Sequence, residues 1–92
     1  MYAAEIRNRM ARYLKYPSEA RSRGLEGVAT VTFTVESSGR IVNVRVVKGS
    51  GQRVLDDEAS ALMRRISPLP PIPAAVKRPK LVFTVPIRFK LR

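Results

Sequence analysis

Three consecutive carboxylates, Asp56, Asp57 and Glu58, are the residues of this sequence whose types could perform acid–base chemistry or hold a cation. They fall in a segment with helical spacing, where consecutive side chains point about 100° apart. They therefore cannot converge on one substrate atom, as the two members of a catalytic pair do. We interpret them as charges that stabilise the N-terminal end of a helix through its dipole.

The sequence is poor in other chemically active side chains. Its 92 residues include no histidine and no cysteine, which removes imidazole bases, thiolate nucleophiles, disulfides and nearly every structural zinc site. No glycine-rich nucleophile elbow surrounds any of the serines. We therefore predict a protein that is not an enzyme and that has no cofactor and no metal site.

A strong excess of basic residues is the next feature that could carry a function. Lysine and arginine number 18 against seven aspartate and glutamate residues, for a formal net charge of +11. Such a charge attracts polyanions, and nucleic acid is the usual partner. However, Phe33, Phe83 and Phe89 all fall on the predicted inward face of the strands, so no aromatic platform remains for stacking bases. A solvated basic surface in anionic surroundings is therefore favoured over nucleic-acid binding.

Pro86 interrupts a strand pattern, and this position is informative. Proline is tolerated in a strand essentially only at an edge or a bulge. At an edge, the unpaired side of the strand is the one that lacks the Pro86 N–H, so Thr84 and Arg88 would present free main-chain groups there. Two interpretations remain open: Pro86, Arg88 and Lys90 protect the edge from aggregation, or the edge accepts an extended peptide as an added strand.

Helical spacing identifies the elements that must position these residues. The apolar residues of Ala3–Leu14 predict an amphipathic helix that ends before Pro17. A short helix follows over residues 17–23, and a longer one over Gln52–Ile66. The proline-rich residues 68–73 predict an extended connector.

Strand patterns fill the remaining segments. Residues 27–36 and 41–47 alternate between apolar and polar side chains, and the turn cluster between them predicts a hairpin. We expect Glu36 to oppose Ile41, because Val35 and Val42 would then both face the core. A third alternating run covers residues 81–90.

These elements predict an α+β fold in a single domain, residues 1–92, with an N-terminal helix at 3–15 and a core at 16–92. The long helix returns the chain along the sheet, so an antiparallel third strand must lie beside the first, in the order 2-1-3. One helix is expected to cover the apolar face of this sheet.

The ordered motifs of the chain resemble those of the C-terminal domain of TonB, over Tyr13 to Leu91. The matching residues are Lys15-Tyr16-Pro17, Ala20, Gly24, Gly27, Ser38-Gly39-Arg40-Ile41, Gly49-Ser50-Gly51, Leu55-Asp56, Met63-Arg64-Arg65, Ser67-Pro68-Leu69-Pro70-Pro71 and Pro86-Ile87-Arg88-Phe89. The forms around Tyr16 and Pro68 are similar to those of the branch of this family with a longer first helix.

This resemblance implies a periplasmic domain, tethered to the inner membrane by an upstream transmembrane anchor and a proline-rich linker that lie outside this sequence. Domains of this family add the TonB box, a short segment of an outer-membrane receptor, as a strand beside their last strand. The ExbB and ExbD complex then supplies proton-motive-force energy, through the upstream parts, for uptake of siderophores, haem or cobalamin. The resemblance also implies that two copies can associate as a homodimer through the same edge.

Together, the edge and the resemblance predict a partner-binding site. We expect it to comprise Val82, Thr84, Val85, Pro86, Arg88 and Lys90, flanked by Tyr13, Lys15, Tyr16 and Pro17. Tyr16 fits a packing residue over the sheet equally well. Two other functions remain as alternatives: a TolA-like envelope adaptor with the same plan and another partner, and a small basic module that binds nucleic acid.

Overall fold

The computed structural model describes residues 2–91, which form helices and strands in the predicted order. A 3₁₀ turn before the last strand is the one element of this set that the sequence analysis did not include. The elements are α1 (Tyr2–Tyr13), α2 (Ser18–Ser22), β1 (Gly27–Glu36), β2 (Ile41–Lys48), α3 (Arg53–Ile66), the 3₁₀ turn (Ala74–Val76) and β3 (Lys80–Phe89).

The three strands form an antiparallel sheet in the order β2-β1-β3. Pairing between β1 and β3 runs without interruption from Gly27 opposite Phe89 to Glu36 opposite Lys80. This arrangement confirms the predicted α+β class and strand order. It also places β3, which contains Pro86, at one margin of the sheet.

One helix, α3, covers the apolar face of the sheet, as predicted, and the N-terminal helix α1 packs against α3. Val31 and Phe33 of β1 are buried against α3, whose apolar stripe ends at Ile66. The first helix joins the same core through Ile6 and Met10. The amphipathic pattern of α1 was recognised in the sequence, but its docking position depends on long-range contacts that the pattern does not encode.

The predicted register of the hairpin is wrong by one residue at its turn. Val35, and not Glu36, lies opposite Ile41, so Ile41 packs toward the core and Val42 turns to the other face beside Thr34. A bulge restores the alternation at Asn43, which has a positive φ of 55°. Asparagine tolerates this left-handed conformation better than most residues do.

The proline-rich segment after α3 packs over the turn of the hairpin. The Leu69 N–H donates to the Gly39 carbonyl at 2.8 Å, and the Ile72 N–H donates to the Ser37 carbonyl at 3.0 Å. Leu69 and Ile72 are both buried. The segment therefore closes one end of the core and is more than the extended connector that its composition predicts.

Hydrogen bonds fasten α1 at both of its ends. At its start, the Tyr2 hydroxyl donates to the Pro70 carbonyl at 2.7 Å, and in its second half Arg9 donates to the Pro68 carbonyl at 3.0 Å. Beyond its end, the Lys15 N–H donates to a carboxylate oxygen of Glu58 on α3 at 2.9 Å. Among residues 2–91, no helix has the length and apolar character needed to cross a membrane.

Candidate functional site

The three carboxylates of α3 have separate structural roles and form no common site. Asp56 accepts a hydrogen bond from the Ser50 N–H at 2.8 Å, which orders the loop before the helix. Asp57 points into solvent, whereas Glu58 is buried and paired with Arg65 at 2.8 Å. Within the described part of the chain, no group of acidic side chains is arranged to hold a metal ion.

The margin of the sheet at β3 is the candidate site. Among the described residues, β3 pairs with β1 on one side, and no strand lies on its other side. We call this side of β3 the open edge. Over the ten residues of β3 it presents a row of main-chain groups, which is the feature that strand addition uses.

The register determines which residues direct their main-chain groups to the open edge. The Glu36 N–H donates to the Arg40 carbonyl across the hairpin, so even-numbered residues of β1 face β2 and odd-numbered ones face β3. The Thr32 hydroxyl reaches the Phe83 carbonyl at 3.1 Å, as expected when odd-numbered residues of β3 face β1. Because alternate residues face opposite sides, the open edge receives the main-chain groups of the even-numbered residues of β3, which are Lys80, Val82, Thr84, Pro86 and Arg88.

Pro86 occupies a position where it costs the sheet no hydrogen bond. It lies opposite Thr30 in a pair whose main-chain groups point away from each other. A proline at either neighbouring position would remove a bond of the β1–β3 ladder. Pro86 therefore lies in an edge strand, as the strand pattern predicted.

The side chains of the predicted site residues divide between the two faces of β3. Val82 is 66% exposed, an unusual degree for a valine in a sheet, and Thr84, Pro86 and Arg88 are also exposed. Val85 is half-buried on the helix side and pairs with Val31, so its main-chain groups do not reach the open edge. Lys90 follows the last residue of β3 and is exposed.

The segment Tyr13–Pro17 lies close to the C-terminal end of β3. The Tyr16 ring meets the Phe89 ring edge-on with centroids 5.8 Å apart, and its hydroxyl donates to the Leu25 carbonyl. Burial raises the pKa of Tyr16, the Glu26 carboxylate adds to the effect, and Arg21 opposes it. The Tyr16 side chain is half-buried and makes both of these contacts within the domain.

The other flanking residues are also partly committed to internal contacts. The Tyr13 carbonyl accepts a hydrogen bond from Arg65 at 2.9 Å, although the Tyr13 side chain is exposed. The main chain of Lys15 is bound by Glu58, while its side chain is exposed, and Pro17 precedes α2. Val82 and Phe89 are about 23 Å apart at 3.3 Å per strand residue, so these flanking residues are near only one half of the edge.

A groove that sequence reasoning missed runs between α1 and the open edge. It has a volume of about 280 Å³ and lies between Met10 and Ala11 of α1, the following Leu14, and Pro86 and Ile87 of β3. Arg7 and Arg88 also line it. The exposed Ala11 beside an apolar stripe is the only sequence signal of this groove, and it is too weak to identify one without the docked position of α1.

An ion pair between α3 residues holds α1 in the position that forms this groove. Arg65 donates to both carboxylate oxygens of Glu58, at 2.8 and 3.1 Å. The hydrogen bond to Glu58 raises the pKa of Arg65 against the smaller opposing effect of burial. Because Glu58 also binds the Lys15 N–H and Arg65 binds the Tyr13 carbonyl, the pair caps the C-terminal end of α1.

Comparisons with known proteins identify relatives for almost the whole chain. Residues 12–91 match the family described as Gram-negative bacterial TonB protein C-terminal. The chain is similar to the protein TonB of Pasteurella multocida, with 33% identity over 98% of this chain and 34% of that protein. It is also similar to TonB of Pseudomonas putida, with 36% identity over 70% of this chain and 26% of that protein. The chain thus spans about a third or less of the length of these relatives.

Solved structures of C-terminal domains from related proteins have a similar fold. The fold is similar to that of the TonB C-terminal domain of Helicobacter pylori, with a TM-score of 0.84, 25% identity and coverage of 99% of this chain and 81% of that one. It is also similar to the C-terminal domain of HasB, with a TM-score of 0.61, 36% identity and coverage of 99% and 70%. The match to the Helicobacter domain includes α1, which the family match covers only in part.

Proposed function

The chain belongs to the family of Gram-negative bacterial TonB protein C-terminal domains. From this membership we propose that it binds the TonB box of outer-membrane receptors by strand addition. The receptor segment binds along the open edge of β3. Pulling on it transmits proton-motive-force energy for the uptake of siderophores, haem or cobalamin. The domain is an adaptor and performs no catalysis.

The observation that supports this proposal is the row of main-chain groups that β3 presents at the open edge, where no strand of the described residues pairs with them. Val82, Thr84 and Arg88 each direct an N–H and a carbonyl toward it, and Pro86 directs a carbonyl alone. An extended peptide that docks there gains several main-chain hydrogen bonds at a net ~0.5–1.5 kcal/mol each. These bonds need no particular partner sequence, and their number distributes a pulling load over the strand.

The charge of the domain supports encounter with an acidic partner. A net charge of +11 accelerates association with segments that carry acidic residues, and it contributes less to the lifetime of the complex. Arg88 and Lys90 lie at the C-terminal end of β3 beside the proposed docking path. A receptor segment with acidic flanks is therefore the favoured partner.

The remaining parts of the proposal follow from family membership. The domain works in the periplasm, and upstream parts of the protein anchor it to the inner membrane and connect it to ExbB and ExbD. When no receptor is bound, the same edge offers a pairing surface to a second copy of the chain.

Titration with two ligands at two salt concentrations tests the proposed function. A synthetic receptor-box peptide is expected to bind with an affinity that changes only a few-fold between about 50 and 200 mM salt. A single-stranded oligonucleotide that made several phosphate contacts would lose affinity by orders of magnitude over this range. Tight, salt-sensitive binding of the oligonucleotide together with no binding of the peptide would contradict the proposal and favour a nucleic-acid-binding module.

A further inference from the structure

We propose that an exposed basic turn at one end of the domain docks on the surface of a bilayer that contains anionic phospholipids. We call this turn the tip. It comprises residues 73–80, which connect the proline-rich segment on the hairpin turn to the first residue of β3. The inference does not depend on strand addition, because it uses the side chains of another part of the molecule.

The tip projects from the core as an ordered turn. All of its residues are exposed, whereas the preceding Ile72 is buried. Within the tip, the Val76 N–H donates to the Pro73 carbonyl at 3.0 Å, and the Lys77 N–H donates to the Ala74 carbonyl at 3.1 Å. The turn is therefore already formed, so docking on a surface orders little additional main chain.

Four basic side chains come together at this end of the sheet. Lys77, Arg78 and Lys80 belong to the tip, which contains no acidic residue. Lys80 lies opposite Glu36 across the sheet, and Arg40 lies on the other side of Glu36, with 4.0 Å between the charged groups. One carboxylate thus faces four cations. Each basic residue held near an anionic bilayer strengthens binding about fivefold.

Exposed apolar side chains lie within the same turn. Ala74, Ala75 and Val76 form the 3₁₀ turn of the tip, and Val76 is 38% exposed. Apolar side chains beside basic ones are the combination that binds at the boundary between lipid headgroups and acyl chains. A bilayer therefore matches both the charge and the apolar surface of the tip.

An acidic polypeptide would find few main-chain partners at the tip. Pro73 and Pro79 have no N–H, and the N–H groups of Val76 and Lys77 are bonded within the turn. The tip therefore offers side chains and not a row of main-chain groups. This arrangement suits the phosphates of a lipid surface better than it suits an added strand.

The elongated shape of the domain limits this docking to one end. The molecule measures 45 × 22 × 16 Å, whereas charges are screened over about 10 Å at 0.1 M salt. Lys48 and Arg53 lie at the opposite end of the sheet, near the start of β1, and are too far from the tip to act on the same surface. Since β3 begins at Lys80, docking places the first residue of the open edge at the bilayer.

A single introduced tryptophan tests the contact, because the chain contains none. Val76→Trp places the fluorophore in the tip, and Val47→Trp replaces another exposed valine, on β2. The probe is a vesicle of phosphatidylcholine with about 30% phosphatidylglycerol, in about 0.1 M salt. We expect the emission of Val76→Trp to shift to the blue and to be quenched by brominated acyl chains, and that of Val47→Trp to stay unchanged.

Two charge reversals of equal size test the basic residues without a fluorophore. In vesicle flotation, Lys77→Glu combined with Arg78→Glu is expected to weaken binding at least about 25-fold relative to the wild-type domain, because two factors of about five are lost. Lys48→Glu combined with Arg53→Glu is expected to weaken it about threefold or less. Thermal denaturation checks that both double variants fold, and vesicles of phosphatidylcholine alone are expected to bind none of the three proteins.

Several outcomes would overturn the proposed docking. If the two tryptophans respond equally, or the two double variants lose equal affinity, charge attracts the whole surface and the tip has no special role. Equal binding to vesicles without phosphatidylglycerol would refute the anionic requirement. If Lys77 and Arg78 govern binding of polyglutamate but not of vesicles, the tip binds acidic polypeptides instead. None of these results alters the receptor-box titration, so failure of this inference and failure of the proposed function are distinguishable.

Discussion

Thr84 and Val85 are adjacent residues whose main-chain groups face opposite sides of β3. Thr84 faces the open edge, whereas Val85 faces Val31 and belongs to the β1–β3 ladder. This contrast gives a paired test, because the same substitution removes a free N–H at one position and a bonded N–H at the other.

We predict that Thr84→Pro leaves the fold intact and weakens receptor-box peptide binding about tenfold, because one donor is lost and the proline ring obstructs the incoming strand. Val85→Pro is expected to lower the free energy of unfolding by about 3 kcal/mol, because it removes a ladder bond. Urea denaturation and peptide titration of both variants measure these effects. Unfolding of the Thr84 variant would mean that the two sides of β3 are assigned the wrong way round.

Gly39 is the residue on which docking of the proline-rich segment depends. Its φ is +96°, and a Cβ atom there would lie 1.9 Å from the Leu69 carbonyl oxygen. We predict that Gly39→Ala lowers the free energy of unfolding by about 3 kcal/mol, from backbone strain and displacement of Leu69. Gly51→Ala is the control: its φ is +91° but no atom lies within 4 Å, so only about 1 kcal/mol of strain is expected. If thermal or urea denaturation showed equal losses of unfolding free energy in the two variants, the contact with Leu69 would contribute nothing to stability.

Asn43 shows why the register of the hairpin was not predictable from alternation. The pattern of Val42, Val44 and Val46 is regular, and a regular strand would place all three on one face. The bulge at Asn43 reverses the pattern between Val42 and Val44. An asparagine within a strand was the only sign of it, and that sign does not distinguish a bulge from an exposed polar position.

At the scale of elements, the position of α1 depends on the Glu58–Arg65 pair. Glu58 is 9% exposed, and it joins α3 to the chain just after α1. We predict that Glu58→Ala lowers the free energy of unfolding by about 3 kcal/mol, since it leaves the Lys15 N–H without its acceptor and the half-buried Arg65 without its carboxylate partner. Hydrogen exchange is expected to show that α1 loses protection before the sheet does.

The surface pair of Glu19 and Arg23 provides the control for this prediction. Its side chains are 63% and 61% exposed, and their contact distance of 3.0 Å is comparable with the 2.8 Å of the Glu58–Arg65 pair. Glu19→Ala is expected to change the free energy of unfolding by less than about 0.5 kcal/mol. A loss of the same size in both variants would indicate that burial gives the Glu58 pair no special role in docking α1.

The elements themselves were largely predictable from the sequence, whereas the contacts between some of them were not. Period-two alternation identified β1 and β3, and Pro86 identified β3 as an edge. The docking position of α1 and the groove beside Ala11 were not predicted, because an amphipathic stripe specifies that a face is buried but not which surface buries it.

At the scale of the whole molecule, the charge acts on the rate of encounter. With a net charge of +11, the domain is expected to associate with an acidic receptor-box peptide several-fold more slowly when salt rises from about 50 to 200 mM. The dissociation rate is expected to change less than about twofold, because main-chain hydrogen bonds hold the complex. Stopped-flow or surface-binding kinetics measure both rates. A dissociation rate that rises steeply with salt would mean that charge, and not the strand, holds the peptide.

We propose that a receptor strand binds at the open edge of β3. Amide chemical shifts recorded during titration with a receptor-box peptide test it most directly. The largest shifts are expected at Val82, Thr84 and Arg88, whose N–H groups face the edge, with smaller shifts along α1 beside the groove. Shifts confined to the β2 margin or to the outer face of the sheet, with β3 unchanged, would contradict it.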